Sequence, residues 1–227
     1  MSPRPGDYGI EFSDLWRLLS DPSSAIVPAP NVVVGLASLA SDEAASGLLT
    51  FAAGRLRPTL AARDALDLWA SKQALARDRL YAVDRYRDLI KPAFGTPVGL
   101  TPGAPDRDVE YWPALLDQYH GDETIVAQAV LLRFGQEPVV AVSQCGDLFD
   151  AFQRHKPVRV IGVHHLLAHL GRVELVSPDH VWGAVTELGI QKPAVRLLGP
   201  CPKGRWPDEE TRQATVAYAA GRADDRF

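Results

Sequence analysis

Cysteine is nearly absent from this 227-residue chain: Cys145 and Cys201 are the only two, and they lie far apart. That excludes a disulfide framework and a CxxC zinc site, and it implies a reducing, cytoplasmic setting. Neither sign of charge dominates, with 24 Lys and Arg against 28 Asp and Glu and a formal net charge of −4. An all-over basic surface that coats nucleic acid is thereby excluded, although a local basic stripe is not. Long apolar runs are missing too. No segment approaches the ~20 apolar residues that span a bilayer, and Met1 to Tyr8 lacks the apolar core of a signal peptide. Neither GxGxxG nor GxxxxGK followed by Ser or Thr occurs, which disfavours a Rossmann-like small-molecule-binding domain. Repeats and low-complexity tracts are also lacking.

What is present suits a globular α/β protein. The hydrophobic fraction of 46% supplies a core of useful size. Phe12, Leu15, Trp16, Leu18 and Leu19 fall at helical spacing and predict a helix from Ile10 to Ser20. Ala25-Ile26-Val27, closed by Pro28 and Pro30, predicts a buried strand, and Asn31 is a candidate cap for a segment from Val32 to Ala40. Further on, a helix is predicted over Ser41–Ala53, a strand over Leu56–Leu60, a long helix over Ala62–Leu80 and a helical continuation to Ile90. Lys91 to Pro105, dense in Pro and Gly, reads as a long loop. The most regular stretch runs from Thr124 to Leu170: helix, strand Pro138–Ser143, short helix, strand Val158–Ile161, and helix His164–Leu170. Such alternation with short connections predicts a parallel sheet covered on both faces. Helices are also predicted over Asp179–Leu188 and Asp208–Arg222.

In open α/β sheets ligands gather beyond the carboxyl ends of the strands. That rule selects the loop after Val27, the loop after Ser143 with Asp147, and the turn before Thr124 with Asp122-Glu123. Converging carboxylates make a hard-oxygen site suited to Mg²⁺ or Mn²⁺, and such a cation can activate water against a phosphodiester. Asp122 and Asp147 have an equally physical second reading as helix caps that complement the helix dipole. His165 and His169, four apart on a predicted helix, have the spacing of two zinc ligands, but no HExxH motif or third ligand accompanies them. Cys145 at a strand end is a weaker candidate nucleophile without a local base.

Taken in order, these segments resemble the PIN-domain nucleases, including toxins of bacterial toxin–antitoxin pairs. Ile26-Val27-Pro28-Ala29-Pro30-Asn31-Val32-Val33 is similar to the family's opening strand, and Leu48-Leu49 through Gly54-Arg55-Leu56-Arg57-Pro58-Thr59-Leu60 to its next helix and strand. Asp122-Glu123-Thr124-Ile125-Val126-Ala127-Gln128-Ala129 resembles its acid-headed helix. Val140-Ala141-Val142-Ser143-Gln144-Cys145-Gly146-Asp147-Leu148-Phe149 resembles the late strand with its acidic turn, and Val158-Arg159-Val160-Ile161 the closing strand. The resemblance covers roughly two-thirds of the chain. It implies a three-layer α/β/α sandwich with a central, mostly parallel sheet in residues 23–171. An N-terminal helical extension (1–22) and a C-terminal helical extension (172–227) flank it.

The resemblance further implies a metal-dependent endoribonuclease, toxin-like, in which Asp67, Asp122 and Asp147 hold Mg or Mn and cut RNA. Asp64 is the alternative to Asp67. Asn31 and Ser143 would support the metal-bound water, and Arg55, Arg57, Arg63 and Lys72 would bind phosphate or else form an ordinary solvated face. The implied partners are RNA, a cognate antitoxin protein and a second copy of the chain. Two positions depart from the pattern: the first metal-binding aspartate falls on Ala29, whether by nature or by engineering, and an aspartate of the late turn falls on Cys145. Loss of a carboxylate beside a divalent ion removes charge where it matters most. The same resemblance therefore admits a catalytically inactive module that binds nucleic acid or a protein partner.

Overall fold

A computed structural model describes residues 17–73, 80–96, 139–143, 158–190 and 209–222. Its centre is a three-stranded parallel sheet in the order β1 (Ala25–Pro28), β2 (Val139–Val142), β3 (Val158–Ile161). The register pairs Ala25 with Val139 and Val139 with Val158, and ends on Pro28, Val142 and Ile161 side by side. Both β1 and β2 are buried along their whole length. This is the situation of a parallel strand covered on two faces, and it explains why these segments read as unbroken apolar runs rather than alternating ones.

The predicted strand over Leu56–Leu60 is corrected to isolated bridge residues, of which Leu56 pairs in parallel with Ile26. The Ile26 amide donates to Arg55 O, and the Arg57 amide donates to Ile26 O. Pro58 has no amide to extend the ladder. Thr59 then opens a helix, its Oγ1 accepting the Ala62 amide at 2.8 Å.

The helices are α1 (Pro30–Ala37), α2 (Glu43–Phe51), α3 (Leu60–Gln73), α4 (Leu80–Arg85), α5 (Val163–Arg172), α6 (Pro178–Ile190) and α7 (Glu209–Ala219). α1 starts earlier than the Asn31 cap would place it. Its N-cap is Ala29, and Pro30 occupies the first helical position, where a missing N–H costs nothing. Every residue of α1 is buried. α4 continues into a π-helical turn, Tyr86–Ile90, and a 3-10 turn, Lys91–Ala93. The helical reading to Ile90 thus holds in outline, with a change of pitch, and the first residues of the predicted long loop are helical. Of the predicted N-terminal helix, residues 17–20 are described, and they are helical.

The helices after Gly171 join the core of the sheet region. Val181, Val185 and Leu188 of α6 and Tyr218 and Ala219 of α7 belong to the same buried cluster as Ile26, Val140 and Ile161. α7 lies against both α5 and α6. Close approach of α5 and α7 depends on Gly171: a Cβ there would come within 2.5 Å of the Ala219 Cβ, 3.1 Å of Val181 Cγ2 and 3.2 Å of the Ala219 backbone. Gly171→Ala is therefore expected to destabilise by about 1–3 kcal/mol through overpacking, despite alanine's better helix propensity. Chemical denaturation measures this, and an unchanged midpoint would mean that α7 is not seated on α5. No helix among the described residues is long and apolar enough to cross a membrane.

Candidate functional site

The carboxyl ends of the three strands form one edge, where Ala29, Ser143 and Gly162 follow Pro28, Val142 and Ile161. Backbone bonds tie this edge together: the Ala29 amide donates to Val142 O and the Ser143 amide to Ile161 O, both at 2.9 Å. Ala29 and Ser143 have no exposed surface, and Asn31, in the first turn of α1, is 3% exposed. The sheet thus brings Ala29 and Ser143 together, with Asn31 two residues along the chain. Asp122, Cys145 and Asp147 lie outside the described residues.

Asp67 sits on α3 and is held by other groups. Lys91 Nζ donates to its Oδ1 at 2.8 Å and its Oδ2 at 2.9 Å, and Tyr86 Oη donates to Oδ1 at 2.9 Å. Burial by itself would raise the Asp67 carboxyl, but the hydrogen bonds from Lys91 and Tyr86 outweigh it and hold it below the usual carboxylate range. Tyr86 responds in the opposite sense: burial, then the adjoining Asp67, push its phenol upward. Tyr86 is itself fixed edge-on to Trp69, with ring centroids 5.9 Å apart. Neither Lys91 nor Tyr86 was singled out from sequence, because they reach Asp67 across separate helical turns and no local pattern links them.

The four candidate phosphate-binding cations occupy different settings. Arg55 is a half-buried internal brace: its Nε donates to Ser24 O at 3.0 Å and its Nη2 to Leu19 O at 2.8 Å. Its guanidinium lies 5.2 Å from the centre of the Phe51 ring. Arg57 Nε donates to Thr96 O at 3.0 Å. Arg63 stands 3.9 Å from its neighbour Asp64, most of which is exposed. Lys72 is exposed in the last turn of α3.

α5 carries three buried histidines, two of them the zinc-spaced pair. His165 Nδ1 accepts the Gly162 amide at 3.2 Å, which fixes the neutral tautomer with its proton on Nε2. The His164 and His165 rings are in contact at a 37° tilt with centroids 4.0 Å apart, and His169 meets Phe51 edge-on at 5.1 Å. Burial pushes His165 down to about 3, and burial together with the charge of Arg55 pushes His169 down to about 4. His164 lies well below its ordinary value because of burial and its His165 neighbour. His164 was not picked from the sequence, although three histidines within six residues on an otherwise apolar helix could have flagged it.

Among the described residues no group of three or more His, Cys, Asp or Glu is placed to hold a metal ion. Of the three carboxylates that the resemblance implies for a Mg or Mn centre, Asp67 alone lies among the described residues. A methyl stands at the strand end, and both oxygens of Asp67 already have an ammonium partner. No family model matches the chain, and no curated protein and no solved structure matches it either.

Proposed function

We propose that this chain is a PIN-like α/β module that binds nucleic acid or a protein partner without metal-dependent cleavage. The observation that carries the reading is the end of β1, where a cluster of metal-binding carboxylates would need its first member. Ala29 is wholly buried there, with its amide committed to Val142 O. The pairing of Asp67 with Lys91 supports the same reading, since a cation would have to displace an ammonium held by both carboxylate oxygens. The side-by-side parallel alignment of β1, β2 and β3 supports the PIN-like three-layer sandwich.

The same alignment favours a second reading, an active Mg- or Mn-dependent, toxin-like ribonuclease that uses Asp67, Asp122 and Asp147. Here the opening and late strands lie adjacent, as an acid cluster shared between their loops requires. Titration calorimetry with Mn²⁺ at neutral pH, followed by incubation with RNA, separates the two. The expected result is no heat of specific binding and intact RNA. Stoichiometric binding with Mn²⁺-dependent cleavage would replace the first reading with the second. Under the non-catalytic reading the partner is RNA, an antitoxin-like protein or a second copy of the chain.

A further inference from the structure

We draw no further inference here: the strongest candidate, the groove of about 520 Å³ between the C-terminal turns of α5 and α7 and rimmed by Glu43, Arg172, Glu174 and Ser177, carries nothing because Glu43 is already held by the Ser177 amide and His180 and nothing in the structure shows what fills it.

Discussion

Acidification from neutral pH to about pH 5 is expected to lower the folded state's stability steeply. His164, His165 and His169 are buried on one helix, and each is depressed below the 6.5 of a free histidine. Their native state stays neutral while the unfolded chain takes up protons. Stability is therefore fully present above the unfolded value of 6.5 and is lost as pH falls toward the native values of about 4 for His169 and about 3 for His165. Each histidine contributes up to about 1.4 kcal/mol per pH unit within that window. All three act in the same direction, so the fall in stability with acid is steeper than one histidine alone would give. Urea denaturation at a series of pH values reads this directly, and His169→Leu should flatten the slope by about one proton. A stability that stays level between pH 7 and pH 5 would show that these rings reach water.

Arg85→Ala is expected to lower stability by about 4 kcal/mol, a fall of roughly 10 °C in Tm for a chain of this size. The Arg85 side chain is 1% exposed and fastens the end of α1. One guanidinium nitrogen donates to both Ala37 O and Leu39 O, the carbonyls left over where the helix ends. Another pairs with Asp42 at 2.5 Å, and Cζ lies 4.2 Å from the Tyr81 ring centre. Truncation leaves two buried carbonyls without a donor and a void beside Tyr81, so hydrogen-bond and packing losses add. Asp42→Asn isolates the ionic part. Asp42 is 60% exposed but the guanidinium it faces is 1% exposed, so losing the counter-charge should cost about 1–2 kcal/mol, less than Arg85→Ala. Arg85→Lys should recover only part of the loss, since an ammonium cannot reproduce the fork. Equal, small effects of Arg85→Ala and Asp42→Asn would mean that the helix end does not depend on this side chain.

The sheet was legible in the sequence because its strands are short β-branched runs stopped by proline or glycine. Val158–Ile161 matches the expectation residue for residue, Ala25–Pro28 is longer by one residue, and Val139–Val142 is shorter by one residue at each end. Leu56–Leu60 failed because two local signals compete there. Leu56 can bridge to Ile26, yet Pro58 and the Thr59 cap turn the chain into α3 before a ladder forms. Where the candidate site is concerned, the sequence conveys residue types and strand-end positions. It conveys neither the Lys91 and Tyr86 contacts to Asp67 nor the burial of Arg55, since both depend on how distant helices pack. Arg85 shows the same limit: nothing local in the sequence marks it, and only packing turns it into the internal anchor of α1.

The most direct test of a metal-free strand end is the melting temperature of Ala29→Asp, measured with and without Mn²⁺. A lone carboxylate in that fully buried position costs several kcal/mol on the order of a buried unpaired charge. A divalent ion that binds only the folded form would restore much of that loss. For a PIN-like module without a cation site, Ala29→Asp melts well below the parent chain, Mn²⁺ leaves both temperatures unchanged, and RNA stays intact. Recovery of the melting temperature by Mn²⁺ together with RNA cleavage would contradict the non-catalytic reading and identify the chain as a nuclease disabled at this one residue.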